Sequence, residues 1–241
     1  MYGKTNHLKY QIKEANVQIF TVQETKYRKK GKFNIDEFEI FESKRKNKEK
    51  GGTMLGIHKS LEPVLIEEYS NTFELIVAEI HTNNKQIRII TGYGPQENWS
   101  PEEKRPFFIA LEEEVVKAHT AGKPCIIEID ANSKLGSEYV KGDPHDMSVN
   151  GKILSHIIET HALIVANGVE GKSSGVVTRK RLTESRLEES VIDYVLISDS
   201  LLPSLVSCHV NSQRKKIFTK FTIDRKCESD HNSIFTRFRI E

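Results

Sequence analysis

The sequence has little of several residue types that mark specialised classes of protein. Its three cysteines, Cys125, Cys208 and Cys227, have no paired spacing, which argues against a disulfide framework and against a structural zinc site. No apolar run is long enough to cross a bilayer, and no signal peptide or lipidation motif is present. These absences predict a reducing, intracellular compartment and no membrane partner.

An excess of charge of one sign is also missing. Lys and Arg total 36 against 34 Asp and Glu, for a net charge of +2, so the total does not indicate a nucleic-acid binder. The distribution says more, because basic residues cluster at Lys26–Lys32, Lys44–Lys50, Arg179–Arg181 and Arg214–Lys216. Such clusters can follow a phosphate backbone, although a lysine-rich loop is more often a solvated surface.

What remains is the pattern of an ordinary globular chain. With 241 residues and no repeat or low-complexity tail, it can bury a core without disulfides, and we predict one domain over residues 1–241. Amphipathic spacing predicts helices over Lys4–Ala15, Pro101–Ala118 and Gly151–His161. Apolar runs predict the strands Val17–Val22, Phe38–Phe41, Gly52–His58, Glu74–His81, Gln86–Tyr93, Leu163–Asn167, Ser174–Leu182, Ser190–Ser198 and Ser204–Ser212, another ending at Asp130, and a last one through Phe235 and Phe238.

Strands outnumber helices, and they arrive in runs that look antiparallel. Asn83-Asn84, for example, supplies a turn between two of them. This order predicts an α/β (α+β) protein in which two sheets pack face to face with helices outside, rather than a doubly wound parallel sheet.

One apolar run ends in a pair of polar side chains. Cys125-Ile126-Ile127-Glu128-Ile129 leads into Asp130-Ala131-Asn132, as expected of a central strand that delivers polar groups to a sheet edge. Residues two apart on a strand face the same side, so the Asp130 carboxylate and the Asn132 amide are expected to face one spot. Taken alone, the same residues are also typical of an Asx turn after a strand.

Further polar residues lie in or beside apolar segments. Each one alone has an ordinary explanation: an exposed strand end, a core tyrosine, a turn cap or a structural histidine. Together they suit phosphodiester hydrolysis, because carboxylates can hold a divalent cation and activate water while Asn, Tyr and His stabilise the transition state. The set comprises Glu24, Tyr93, Asp130, Asn132, Asp193, Asp230 and His231.

The order of these residues along the chain resembles the endonuclease/exonuclease/phosphatase superfamily. The blocks that carry the resemblance are Gln23-Glu24-Thr25, Gly92-Tyr93-Gly94-Pro95, Asp130-Ala131-Asn132, Ser190-Val191-Ile192-Asp193-Tyr194 and Ser229-Asp230-His231-Asn232. The chain is most similar to the apurinic-type endonuclease domain of non-LTR retrotransposons, through Gln23–Lys26, Lys134-Leu135-Gly136 and Asn150-Gly151-Lys152. The resemblance implies a four-layered α/β sandwich like deoxyribonuclease I, with two mixed, mostly antiparallel sheets.

The resemblance also implies a role for each residue of the set. Glu24 would bind the metal, supported by Asp230, which could instead support the leaving group. Asp130 would position and deprotonate the water, and Asn132 would hold the scissile phosphate or that carboxylate. Tyr93 would donate to a phosphate oxygen, and His231, oriented by Asp193, would contact the phosphate opposite the metal. DNA contacts would come from Lys26, Arg28, Lys29, Thr178 and Arg179.

The implied activity is Mg²⁺-dependent nicking of double-stranded DNA, with Mn²⁺ as a possible substitute. The implied setting is a nuclear, monomeric domain with a reverse transcriptase further along a longer polyprotein. Two alternatives stay open at this point: a catalytically impaired nucleic-acid-binding remnant, and a phosphodiesterase or phosphatase that acts on a small phosphate ester.

The sequence departs from the family pattern in two places. The family begins with a strand that carries a metal-supporting Asn, and here Met1–Lys4 leads straight into the first predicted helix, so we expect that strand to be absent and the domain to be N-terminally truncated. The usual Gly before Asp130 is Ile129, and Glu128 lies upstream. In register, Glu128 shares a face with Asp130 and is either a further acid near the metal or a partnered edge residue.

Overall fold

The structure is a computed structural model that describes residues 5–25, 33–43, 51–70, 73–82, 84–183, 186–213, 219–221 and 226–240. Its helices are α1 (Thr5–Glu14), α2 (Pro101–Thr120) and α3 (Val149–Thr160). Its strands are β1 (Ile19–Val22), β2 (Phe38–Ser43), β3 (Thr53–His58), β4 (Val64–Tyr69), β5 (Glu74–His81), β6 (Gln86–Tyr93), β7 (Cys125–Asp130), β8 (Leu163–Val165), β9 (Ser173–Ser174), β10 (Arg179–Leu182), β11 (Leu187–Ser190), β12 (Asp193–Ser198), β13 (Leu205–Val210), β14 (Thr219–Phe221), β15 (Lys226–Glu228) and β16 (Ile234–Phe238).

A six-stranded sheet forms the centre of the molecule. Its strand order is β4-β5-β6-β7-β12-β8, and β6 and β7 pair in parallel while the other neighbours are antiparallel. Strands β5, β6 and β7 are apolar along most of their length because both faces of the sheet are covered.

Helices α2 and α3 cover one face of this sheet. Ser100 caps α2 in a capping box with Glu103, which fixes the start of the helix. The helices bury Phe107, Leu111 and Leu154 against sheet residues such as Ile90 and Ile127.

The opposite face is covered by two three-stranded sheets, ordered β1-β3-β2 and β16-β13-β9. Strand β3 shows how this layer is held, because its residues alternate. Leu55 and Ile57 pack towards the central sheet, and Met54 packs outward with Leu8 and Ile12 of α1. The result is four layers: α2 and α3, the central sheet, the two smaller sheets, and α1.

Several strand predictions differ from the structure. Strand β4 was not predicted, because Val64, Leu65 and Ile66 lie on an exposed edge and lack the alternation of a half-buried strand. The predicted strand Ser174–Leu182 is broken into β9 and β10, since Gly175 adopts φ +73° and the chain turns there. The predicted strand Ser190–Ser198 is likewise divided between the end of β11 and β12.

Three of the four basic clusters lie wholly outside the described residues. These are Lys26–Lys32, Lys44–Lys50 and Arg214–Lys216. Arg179–Arg181 is described and lies on β10, which pairs with β11 as a hairpin. Within the described part of the chain, no helix is long and apolar enough to span a membrane.

Candidate active site

Strand register brings three of the predicted residues into one row. Tyr93 and Asp130 end the parallel strands β6 and β7 and are direct partners. Asp193 begins the antiparallel strand β12 and is the direct partner of Asp130. Because directly opposed residues face the same side of a sheet, the three side chains meet at one edge of the central sheet.

His231 joins this row from the segment just ahead of β16. Its Nδ1 lies 3.0 Å from Oδ1 and 3.1 Å from Oδ2 of Asp193. Its Nε2 lies 3.8 Å from Oδ2 of Asp130. The imidazole therefore stands between two carboxylates, and its side chain is 29% exposed at the mouth of the site.

This arrangement shifts the pKa values of two groups in the site. Burial, followed by repulsion from Asp193, raises the pKa of Asp130 to about 8. For His231 burial disfavours the charged ring, but attraction to Asp193, Asp130 and Asp230 outweighs it and raises the pKa to about 10. Near neutral pH the imidazole is thus a cation and can donate, and Asp130 gains its charge only as the pH rises.

Asp193 is held from behind by Thr178. The Thr178 hydroxyl oxygen accepts hydrogen bonds from the backbone N–H groups of Ile192 (2.9 Å) and Asp193 (3.1 Å). Asn167 donates to the Asp193 carbonyl at 3.2 Å. The Thr178 side chain is fully buried, so it has no exposed hydroxyl for the expected DNA contact and instead positions Asp193. Sequence reasoning missed Asn167, which ends an apolar run as the other site residues do.

Glu24 reaches the row through Tyr93. The Tyr93 hydroxyl donates to Oε1 of Glu24 at 2.6 Å, and Gln96 donates to the same hydroxyl at 2.7 Å. Burial, helped by Glu24, raises the pKa of Tyr93 far above its ordinary value, so the hydroxyl stays a donor. Glu24 has φ +50°, an uncommon conformation for a residue other than glycine, and the next residue, Thr25, is fixed by a bond from its N–H to the Gly52 carbonyl (2.9 Å).

A polar bridge fastens β1, the strand before Glu24, to the central sheet. The Gln23 amide donates to the Thr91 hydroxyl at 3.0 Å, and the Thr21 hydroxyl donates to Oε2 of Glu128 at 3.0 Å. Burial raises the pKa of Glu128, and the bond from Thr21 opposes that shift. Glu128 is therefore a partnered carboxylate beneath the site. Gln23 is the second residue missed in the sequence, although it belongs to the first motif block.

Asn132 closes the other side of the row. It has φ +46°, its N–H donates to Oδ1 of Asp130 at 3.2 Å, and its amide donates to the Gly94 carbonyl at 2.9 Å. A side chain at Gly94 would come within 2.5 Å of the Ala131 carbonyl oxygen, so only glycine allows this approach.

Asp230 and Arg179 form an ion pair beside His231. The Arg179 Nε donates to Oδ2 of Asp230 at 3.0 Å. Burial acts against the charge on Asp230, but His231 and Arg179 together lower its pKa. The other predicted DNA contacts, Lys26, Arg28 and Lys29, lie outside the described residues.

Asp130, Asp193 and His231 form a group that could hold a metal ion. One ligand atom from each lies within 4.8 Å of the others, and no other such group occurs in the described part of the chain. The surrounding donors are mainly carboxylate oxygens, which Mg²⁺ and Mn²⁺ prefer. Burial, then repulsion from Asp193 and less strongly from Glu24, raises the pKa of Asp130. A cation placed here would offset both effects, so the residues present fit a divalent ion.

Comparison with known proteins gives matches in structure alone. No family model and no curated protein sequence matches the chain. The endonuclease domain of TRAS1, a telomere-specific non-LTR retrotransposon, matches with a TM-score of 0.70 at 16% identity, over 100% of this chain and 94% of that one. The AP endonuclease LMAP of Leishmania major matches with a TM-score of 0.75 at 12% identity, over 98% and 82% of the two chains.

A phosphatase is also among the similar structures. A mannosyl-6-phosphatase of Bacteroides thetaiotaomicron matches with a TM-score of 0.66 at 10% identity, over 98% of this chain and 91% of that one. Because nucleases and a phosphatase match about equally well, the comparison shows the fold and does not choose a substrate. The layered fold expected from the sequence is confirmed.

Proposed function

We propose that this chain, which has the deoxyribonuclease-I-like fold of the endonuclease/exonuclease/phosphatase superfamily, is a Mg²⁺-dependent endonuclease that nicks one strand of double-stranded DNA. The observation that carries the proposal is the position of His231 between Asp193 and Asp130, at the end of the Tyr93–Asp130–Asp193 row. This places a cationic donor at the mouth of the site, with its Nε2 3.8 Å from a buried latent base.

The chemistry follows from the protonation states. Asp193 keeps His231 charged, so the ring can donate to a phosphate oxygen and stabilise the extra negative charge of the transition state. Asp130, once ionised, accepts a proton from the attacking water. The neutral Tyr93 hydroxyl is a second donor, and the Asn132 N–H fixes the orientation of the Asp130 carboxylate.

We assign the cation to Glu24, as the sequence predicts, at the Asp130 side of the Asp130–Asp193–His231 group, with Mg²⁺ as the natural ion and Mn²⁺ as a substitute. Support of the cation by Asp230 stays a prediction. When bound, the cation would withdraw charge from the phosphoryl oxygens and favour the ionised form of Asp130. His231 is left as a donor in this assignment because both of its nitrogens face carboxylates.

Duplex DNA as substrate is supported by the basic hairpin strand β10 beside the site and by the similarity to a retrotransposon endonuclease domain. The proposal extends to a nuclear domain that works as a monomer with a reverse transcriptase in the same polyprotein. In that setting each nick must leave a 3′-hydroxyl end, which a DNA polymerase can extend.

The test is nicking of supercoiled plasmid with Mg²⁺ and with excess EDTA. We expect Asp130→Asn and His231→Ala to lower the Mg²⁺-dependent rate by about 10²–10⁴-fold, the usual contribution of acid–base groups. Asp199→Asn and His156→Ala, which change exposed residues of the same types, are the matched controls and should nick at the parental rate. Extension of the nick by a polymerase reports the 3′-hydroxyl.

Three results would overturn the proposal. Parental nicking by both site variants would remove the catalytic assignment. Binding of duplex DNA without metal-dependent cleavage by the parent would favour a binding remnant, and hydrolysis of small phosphate esters with no action on plasmid would favour the phosphatase alternative.

A further inference from the structure

A groove of about 640 Å³ opens beside the candidate active site. One wall is the β10–β11 hairpin, which contributes Arg179 and Arg181, and the other is the loop that follows β7, which contributes Asn132, Lys134 and His145. Asn132 and Arg179 also belong to the active site, so a ligand that leaves the catalytic row enters this groove directly.

His145 is held in one orientation within the groove. Its Nδ1 lies 2.9 Å from Oδ1 of Asp143, which also accepts the His145 backbone N–H at 3.0 Å. The Asp143 side chain is fully buried. Because a carboxylate only accepts hydrogen bonds, Nδ1 must carry the proton, and Nε2 is the nitrogen left for a ligand. Among the described residues Nε2 makes no hydrogen bond, and the ring is 26% exposed.

The dyad resembles the Asp193–His231 pair in chemistry, and its histidine lines the groove. The second Asp143 oxygen, Oδ2, is buried without a hydrogen-bond partner among the described residues. A buried oxygen without a partner lowers the free energy of unfolding, and the other oxygen of the same carboxylate fixes the orientation of the His145 ring.

The loop that carries the dyad is closed at its base. The Ser148 N–H donates to the Lys134 carbonyl at 3.0 Å, and the Ser148 hydroxyl accepts the Lys134 N–H at 3.0 Å. These bonds fix the spacing between Lys134 and His145, the two basic residues of this wall.

Charges in the groove favour an anion. Its acidic residues are already engaged: Glu188 pairs with Arg186, Glu189 pairs with Lys180, and Glu97 accepts the Asn150 N–H. In the described part of the chain neither Lys134 nor Arg181 has a carboxylate partner. Arg179 and Arg186 are paired with Asp230 and Glu188, so Lys134 and Arg181 are the groove cations left to meet an anion.

We infer that His145, oriented by Asp143 and assisted by Lys134, binds a second backbone phosphate of the nucleic acid, next to the scissile one. The ring donates through Nδ1 to Asp143, and Nε2, when it also carries a proton, donates to a phosphate oxygen. The inference rests on the proposed function, since it gives the same substrate a second point of attachment.

The experiment compares two substrates with the full chain. One is a fluorescently labelled duplex with a single cleavage site, whose binding is followed by anisotropy in the absence of divalent ions. The other is bis(p-nitrophenyl) phosphate, which has one phosphate and cannot reach the second position. His145→Ala should raise the duplex Kd by about tenfold, equal to 1.4 kcal/mol. It should also lower the slope of log affinity against log salt by about one, as expected for one lost phosphate contact.

The fall in duplex cleavage should exceed the fall in bis(p-nitrophenyl) phosphate hydrolysis by at least about fivefold, within the range of a lost charged hydrogen bond. His145→Lys restores a cation and should recover most of the salt slope, whereas Asp143→Asn should weaken duplex binding without touching the substrate itself. His156→Ala is the matched control, and thermal unfolding checks that each variant is folded.

A His145→Ala protein with the parental duplex Kd and salt slope would overturn the inference. So would an equal loss on both substrates, because that result means a purely structural role. If the parent binds duplex but cleaves neither substrate, the proposed endonuclease function fails, while the anisotropy measurements still decide the role of His145.

Discussion

At the scale of single residues, the site depends on the position of His231 between two carboxylates. Asp193 faces Nδ1 at 3.0 Å, and Asp130 stands further from Nε2, at 3.8 Å. The nearer carboxylate is the stronger partner of the ring, and the farther one, buried and repelled by its neighbour, has its pKa raised to about 8. Thr178 and Asn167 act at this scale too, because they fix the backbone that carries Asp193.

The pH dependence of cleavage follows from these shifts. Activity should rise as Asp130 loses its proton near pH 8 and fall as His231 loses its proton near pH 10, which gives a bell-shaped profile. The two limbs report the coupled group rather than isolated residues. Raising Mg²⁺ from a low to a saturating concentration should move the rising limb to lower pH, since a cation favours the ionised carboxylate.

Asp193→Asn removes one negative charge from this group. The pKa of Asp130 then falls because a repulsion is lost, and the pKa of His231 falls because an attraction is lost, so both limbs should move to lower pH. We expect kcat at pH 8 to drop by about a hundredfold, since His231 is no longer held charged and oriented. A pH–rate series on bis(p-nitrophenyl) phosphate measures this, and a falling limb unchanged by the substitution would show that Asp193 does not control His231.

At the scale of elements, β1 is the strand whose attachment matters most for the site. Its ladder partner is β3, and it ends two residues before Glu24. Side-chain bonds from Thr21 and Gln23 tie it to β7 and β6 of the central sheet. The position of Glu24 therefore depends on side-chain hydrogen bonds between two layers as well as on the backbone pairing of β1 with β3.

The carboxylate of Glu128 is the part of that contact that lowers the free energy of unfolding when it is charged. Its folded-state pKa is raised above the ordinary value, so the stability it contributes is full at pH values below the ordinary carboxyl range and is lost as the pH rises through the raised value. Glu128→Gln keeps an oxygen that can accept from Thr21 and removes the charge. We expect it to increase the free energy of unfolding at pH 8 by about 1 kcal/mol and to leave it nearly unchanged at pH 4.

Urea unfolding at the two pH values checks this expectation. Glu39→Gln, on an exposed position of β2, is the matched control and should have little effect at either pH. An equal gain at pH 4 and pH 8, or a loss at pH 8, would show that the buried charge is not what limits stability at this contact.

The elements also show how far sequence alone can reach. Strands β5 and β6 were predicted with their observed bounds, because long apolar runs between polar turns leave few alternatives. The candidate residues were found because polar side chains at the ends of such runs stand out. The support of Asp193 by Thr178 could not be predicted, since it depends on a loop between two short strands that folds back on β12. The His145–Asp143 dyad was missed for a similar reason: only the folded loop shows that it faces the groove.

At the scale of the whole molecule, the groups of the candidate site come from two layers of the fold. Tyr93, Asp130 and Asp193 lie on the central sheet, whereas Glu24 follows β1 and His231 precedes β16 in the opposing layer. The distance across the site is therefore set by the packing between these layers, where residues such as Leu55, Ile57 and Cys208 meet the central sheet.

Two matched core substitutions test this dependence. Ile57→Val acts in the layer beneath the site, and Ile90→Val acts on the helix side of the central sheet; both side chains are fully buried. Each should lower the free energy of unfolding by about 1 kcal/mol. Ile57→Val should also lower kcat for plasmid nicking by about threefold, because small displacements of the reacting groups lower the rate. Ile90→Val should leave kcat unchanged. Equal kcat values in the two variants would mean that interlayer packing does not control the site.

The layer opposite α2 and α3 is split, and this has a mechanical consequence. In the described residues β1 and β16 are each hydrogen-bonded on one side, to β3 and to β13, so no ladder runs from the strand before Glu24 to the strand after His231. The β1-β3-β2 sheet and the β16-β13-β9 sheet are therefore connected to each other through their packing on the central sheet. A phosphate bound between Glu24 and His231 would link these two sheets across the site. Substrate should therefore restrict the motion of the protein most at this boundary, where no backbone hydrogen-bond ladder joins the sheets.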